Sequence, residues 1–276
     1  MIPAGFGRLT DSPASLLVAG ARVVDPSDGT DAVRDVGIVD GRIVDPGSVP
    51  PDAPRIDGHR LVVAPGLCDL HVHLREPGDP AAETVASGSR AAAQGGFTTM
   101  CAMPNTDPPI DTPGAVGALV RAAADASCRV RPIGAITRGR DGAALADLAG
   151  MAAAGAVGFS DDGAAVPDAA LVAEALRVLC DLRLPLVEHA EDRGLAGDGV
   201  MRAGPAAVRL GLAGWPADAE VAIVERDLHA ARASGARLHL THLSSARSVE
   251  AVRAAKAEGV RVTCDVTPHH LAMAET

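Results

Sequence analysis

The stretch Pro65-Gly-Leu-Cys-Asp-Leu-His-Val-His-Leu-Arg-Glu-Pro-Gly78 decides the architecture. A short apolar run ends in His71-Val72-His73, then Arg75 and the punctuation of Glu76-Pro77-Gly78. Read as a strand, alternation sets Leu70 and Val72 on one face and Asp69, His71 and His73 on the other. The two imidazoles then point the same way and can share one ion.

The stretch also divides the chain. Before it, residues 1–14 contain Gly, Pro and Ser without periodicity and are expected to be disordered. From Leu16 short β-like runs follow one another, and Asp40-Gly41 between apolar segments signals a hairpin. After it, β-like runs alternate with Ala-rich helical patterns at 82–93, 113–126, 143–154, 169–181, 219–233 and 249–257. Gly95, Gly155, Gly235 and Gly259 stand where left-handed helix caps are required. Such β-α alternation means a parallel sheet. Seven strands and six crossover helices are legible, whereas a (β/α)₈ barrel closes with eight. An open doubly wound sheet and a barrel whose last part is absent from the sequence both remain open. The expected domains are a β-rich small domain over 1–64 and the barrel over 65–276.

Composition narrows the function. A net charge of −10 argues against nucleic acid as a partner, because phosphate neutralisation needs a basic face. No apolar segment approaches the length of a membrane span, and no signal-like start is present. Five scattered cysteines form no C-x-x-C pair, which suits free thiols in a reducing, cytoplasmic setting. With no tyrosine, three phenylalanines and one tryptophan, the core must be built from Ala, Val and Leu.

Barrel enzymes carry their chemistry at the C-terminal ends of strands. The polar residues gather there: His71, His73 and Arg75; Asn105; Asp161-Asp162; Glu188-His189; His242; His269-His270. In the fourth of these strands Val157 and Phe159 should pack outward with Asp161, so parity favours Asp162 as the inward ligand. One of the two aspartates is expected to cap a helix. His239 and His242 have opposite parity, so one alone points inward, and His242 lies nearer the strand end. His59 and His229 read as surface residues. His71, His73, Asp162, His189 and His242 form a nitrogen–oxygen donor set suited to Zn²⁺, and two ions sharing Asp162 are conceivable.

Together, "DLHVHLREPG", "GGFTTMCAMPNTDPP", "GFSDDG", "VEHAED", "THLSS" and "VTPHH" resemble the larger bacterial (class I) dihydroorotase family of the amidohydrolase superfamily, from about residue 16 onward. The resemblance implies a distorted (β/α)₈ TIM-type barrel with a small β-rich domain built from both termini. It implies reversible ring closure of N-carbamoyl-aspartate to dihydroorotate, in pyrimidine biosynthesis. His71 and His73 would hold one zinc, His189 and His242 a second, with the second aspartate of "SDDG", Asp162, bridging. His73, Arg75 and Asn105 would bind substrate. Relatives that bridge their metals through a carboxylated lysine are a poorer match, since Lys256, the one lysine, falls in a helical pattern between the sixth and seventh strands. The family's general acid/base is an aspartate on strand eight in a motif like D-H-A-P. No such motif is present, so the resemblance puts that residue beyond Thr276 and implies a fragment of low stability and little activity. A homodimer, or association with aspartate carbamoyltransferase, is the macromolecular partnership implied. The rivals are an allantoinase or hydantoinase and a non-catalytic dihydroorotase-like scaffold subunit.

Overall fold

The computed structural model describes residues 14–273, so the expectation for residues 1–14 falls, Ala14 apart, outside them. The chain divides into two compact units, one ending at Gly66 and the other starting at Leu67.

The first unit is β1 (Ser15–Asp25), β2 (Thr30–Val39), β3 (Arg42–Val44), β4 (Arg55–Asp57) and β5 (Val62–Val63). The sheet order is β3-β2-β1-β4, with β5 also on β1. Asp40 and Gly41 join β2 to antiparallel β3 with φ of 48° and 71°, the left-handed pair that a tight hairpin turn needs. Val18, Ala21, Val23 and Val36 form its core.

The second unit begins with β6 (Leu67–Val72), α1 (Val85–Gln94), β7 (Phe97–Ala102), α2 (Pro113–Ala122), β8 (Arg129–Gly134), α3 (Leu148–Ala153) and β9 (Gly158–Phe159). It continues with α4 (Ala169–Leu182) and β10 (Pro185–Glu188). An excursion follows: α5 (Arg193–Ala196), β11 (Met201–Arg202), α6 (Pro205–Leu210) and β12 (Gly214–Trp215). The pattern resumes with α7 (Asp218–Ser234), β13 (Arg237–Leu240), α8 (Ala246–Ala257), β14 (Val262–Cys264) and α9 (Pro268–Ala272). Seven parallel strands pair in the order β6-β7-β8-β9-β10-β13-β14. That order never reverses. A doubly wound sheet turns back at a switch point, whereas a barrel adds every strand on the same side. The sheet is therefore a partial (β/α) barrel of seven strands. Among the described residues no helix is long and apolar enough to cross a membrane.

The helices form because their apolar residues recur on one face. In α4, Val172, Ala175, Leu176 and Leu179 are buried, the spacing of a helix with one side against a sheet. They meet Phe159, Leu186, Leu238 and Leu240 from the strands and Val224, Leu228 and Ala231 from α7. The other face of the sheet carries Cys101, Met103, Ile133 and Val187 with Val157. Gly134 has to lack a side chain: a Cβ there would stand 2.9 Å from the Phe159 ring.

Several expected boundaries move. The helix expected at 82–93 starts at Val85, because Thr84 and Ser87 exchange side-chain and backbone hydrogen bonds as a capping box. The helix expected at 143–154 shortens to Leu148–Ala153, since Asp147 caps it. The helix expected at 113–126 ends at Ala122. Gly155, Gly235 and Gly259 have positive φ, but after α1 it is Gly96 (85°), not Gly95 (−79°), that turns left-handed.

Alternation also fails at three places, all beside the polar cluster. β6 carries one extra residue between Asp69 and Val72 relative to Met100–Ala102 of β7. This bulge puts Leu70 beside Cys101, Ile133 and Val187 on the inner cavity, while Val72 packs with Met100 and Ala102 against the helices. The two do not share a face as expected. The Asp69 carboxylate accepts the His71 N–H at 3.0 Å within the bulge. Val157 likewise lies on the inner side, not outward with Phe159. The third place is His242.

Candidate metal centre

Four strand ends bring the expected donors together. His71 lies in the bulge of β6 and His73 one residue past that strand, Asp162 stands three residues past β9, His189 one past β10 and His242 two past β13. His71 Nε2 lies 3.1 Å from Asp162 Oδ1, His189 Nδ1 3.7 Å from the same oxygen, and His73 Nε2 3.6 Å from Oδ2. His242 Nε2 is 3.1 Å from His189 Nδ1, and the Nε2 atoms of His71 and His73 are 3.2 Å apart. One ligand atom each from His71, Asp162 and His242 fits within a mutual 4.8 Å. The Asp162 carboxylate is buried at the middle, its two oxygens facing different imidazoles.

The outer hydrogen bonds fix which ring nitrogens carry protons. An ionised carboxylate only accepts, so the Asn105 amide must turn its NH₂ to Asp162 Oδ2 (3.1 Å). Asn105 Oδ1 then faces His73 Nδ1 at 2.9 Å, and that nitrogen must donate. The neutral His73 ring is left with its lone pair on Nε2, pointing into the cluster. By the same logic the Glu191 carboxylate, 3.0 Å from His189 Nε2, takes that N–H, so in the neutral ring the Nδ1 lone pair faces inward. Carboxylates and amides behind imidazoles perform this orientation at metal sites.

Electrostatics divide the rings. Burial opposes ionisation of Asp162, but hydrogen bonds to His189 and His71 outweigh it and hold the carboxyl well below its usual range. Burial, with His189 and His71 adjacent, pushes His242 down to about 4. Burial also lowers His73. For His189 the burial effect is overcome by Asp162 and Glu191, and its pKa rises. An ionised carboxylate with imidazole nitrogens turned toward it is, once the rings are neutral, a set of acceptors aimed at one place. A divalent cation is the chemistry that satisfies such a set, so the residues fit a metal.

The backbone around these donors is pinned. Asp161 caps no α-helix, contrary to expectation; Asp168 caps α4. Asp161 Oδ1 instead accepts the N–H groups of Ile136 and Thr137 at 2.9 and 3.1 Å, and Oδ2 the Thr137 hydroxyl. Arg140 donates to the Asp162 carbonyl. His242 has φ of 39°. By alternation it would share the helix-facing side with Leu238 and Leu240; the left-handed turn rotates its ring into the cluster. A non-glycine residue adopts that region at a cost of roughly 1–2 kcal/mol. His239 is buried on the inner side, bonded to Thr263 and Asp265, so both histidines leave the helix-facing side and the expectation that only one could do so is wrong.

The remaining candidates are more peripheral. Arg75 is exposed, with φ of 53°, and its charge is felt at His73. Asn105 bridges His73 and Asp162. His270 caps the turn at Thr267 and contacts Ser244, while His269 is exposed. His59 and His229 are exposed. Sequence reasoning missed Glu191, Thr137, Asp265 and His239 as supports. Only Glu191 left a local sign, two residues beyond His189.

The dihydro-orotase-like family model matches residues 59–248. This chain belongs to the dihydro-orotase-like family. It is 49% identical over 265 residues to a dihydroorotase of Anaeromyxobacter sp. (strain K), covering 94% of this chain and 61% of that relative. It is 46% identical over 263 residues to a dihydroorotase of Solibacter usitatus, again covering 94% and 61%. Among solved structures, the L-hydantoinase (dihydropyrimidinase) from Arthrobacter aurescens superposes with a TM-score of 0.77 at 26% identity, over 94% of this chain and 59% of that one. The dihydro-orotase-like chain thus spans about three fifths of the length of the relatives it matches.

Proposed function

We propose that the protein carrying this chain is a dihydroorotase, which opens the cyclic amide of dihydroorotate to N-carbamoyl-aspartate and closes it again, in pyrimidine biosynthesis in the cytoplasm. The observation that carries this reading is the convergence of four imidazoles on one buried carboxylate, with the outer nitrogens of His73 and His189 already tied down. His71 and His73 would hold one zinc and His189 and His242 a second, with Asp162 shared between them. When bound, such ions lower the pKa of coordinated water to about 7 and polarise the scissile carbonyl. Asp162 keeps its charge against the imidazoles. Asn105 holds His73 in the ligating tautomer, and with His73 and Arg75 it orients the substrate. Arg75 recognises the substrate carboxylate, for which its fork is suited. Proton transfer falls, by the family resemblance, to an eighth-strand aspartate that this sequence does not contain.

The second reading, a hydantoinase or allantoinase, draws on the likeness to the Arthrobacter enzyme. Against it, Lys256 lies on α8, and Asp162 occupies the central position. A scaffold without catalysis is disfavoured because none of the five donors is missing. Assaying the full-length protein against dihydroorotate, allantoin and hydantoin, alongside metal analysis, separates the three. Turnover of dihydroorotate with stoichiometric zinc is expected; turnover of hydantoin alone, or purification without metal, defeats the proposal. Size-exclusion chromatography with and without aspartate carbamoyltransferase tests the partnership and self-association.

A further inference from the structure

We propose that Asp265, buttressed by His239, is the positioning residue that holds His242 in its left-handed conformation and so aims the His242 imidazole at the metal centre. The inference rests on the metal reading above. His242 Nε2 reaches His189 only because the backbone turns left-handed two residues beyond β13. The N–H exposed by that turn is donated to Asp265 Oδ1. Asp265 itself is fixed by backbone bonds on both sides: its N–H donates to the Leu240 carbonyl and its carbonyl accepts from Leu243, each at 3.1 Å. These bonds straddle His242, so the turn is clamped between β13 and the segment after β14.

A chain of side chains stands behind the clamp. Asp265 Oδ2 lies 3.0 Å from His239 Nε2, and a carboxylate only accepts, so Nε2 carries the proton. In the neutral ring His239 Nδ1 then accepts, and the Thr263 hydroxyl stands 2.8 Å away to donate. Thr263 thus orients His239, His239 orients Asp265, and Asp265 orients the backbone of His242. None of these three touches the other imidazoles of the cluster, so their role is positional.

The test uses the full-length protein with Asp265→Leu, Asp265→Asn and His239→Leu. Zinc affinity is measured by competition with a chromogenic chelator. Exchange at the His242 amide is followed by hydrogen-exchange mass spectrometry on metal-free protein. Asp265→Leu should weaken zinc binding about 10- to 100-fold, the usual effect of losing a supporting group, and speed exchange at His242. Asp265→Asn keeps an acceptor for the His242 N–H and should stay near the parent in both. His239→Leu should fall between. Parent-like affinity and exchange in Asp265→Leu overturn the proposal. If Asp265→Leu does not fold, parent-like values in His239→Leu overturn the brace. If the parent binds no zinc, the metal reading fails, while the exchange comparison still decides the brace.

Discussion

Glu188 and His189 are neighbours at the end of one strand, yet they enter two different buried charge clusters. His189 turns inward, where a carboxylate and imidazoles converge with their lone pairs facing one another. Glu188 turns outward, under the helices, beside Asp227 of α7; both are essentially without solvent exposure. There Arg226 bonds Asp227 at 2.7 Å and stands 3.9 Å from Glu188. Burial, and then the adjacent Asp227, drive the Glu188 pKa well above its ordinary value, and burial also raises Asp227. In the outer cluster burial raises the pKa of both acids and a guanidinium stands beside them. The inner cluster keeps Asp162 ionised and holds His73 and His242 below the usual imidazole range. Buried charge alone does not mark a site; acceptors held pointing at one place do.

The largest test of that contrast is Asp162→Ala, which removes the oxygens common to the imidazoles. Zinc affinity should fall by more than about 100-fold, beyond the usual effect of losing a supporting group, whereas Asp227→Asn should leave it unchanged. Next is Glu191→Leu, which frees the outer nitrogen of His189. Chelator competition should show affinity down about 10- to 100-fold, with urea denaturation of the metal-free protein changed little.

The outer cluster is sharpened by Glu188→Gln. A carboxyl whose folded pKa is raised contributes fully below its unfolded value of 4.5 and loses that contribution as pH rises through the folded value. The metal-free parent should therefore weaken relative to Glu188→Gln on raising the pH, by about 1.4 kcal/mol for each unit of elevation. Urea midpoints at pH 5 and pH 8 measure this; parallel midpoints would mean that Glu188 ionises normally. The smallest effect concerns the inner wall below the metal donors. Burial pushes the Cys101 thiol up to about 11, so at pH 8 a thiol reagent should label exposed Cys68 well before Cys101.

Much of this was legible in the chain. The hairpin at Asp40-Gly41, the β-α rhythm and the five residues that converge could be read because each is a local pattern: a turn pair, a period, a histidine at the end of an apolar run. Parity chose Asp162 over Asp161 for the inner cluster, although Val157 does not follow the outward packing used to argue it. It failed for Leu70 because β6 bulges, and for the pair His239/His242 because a left-handed residue follows β13. Alternation holds only while a strand is regular, and strand ends beside a site are where regularity stops.

Sequence by itself determined the class of sheet-and-helix repeat and the kind of donors at its rim, since hydrophobic period and residue chemistry are carried along the chain. Tertiary structure alone decided that the strand order never reverses, that Asp161 serves the loop at Ile136 and Thr137, and that Glu191, Asn105 and Asp265 stand behind the converging imidazoles. Those facts depend on which segments lie side by side, and on hydrogen bonds between residues as many as 57 positions apart, which no local pattern encodes.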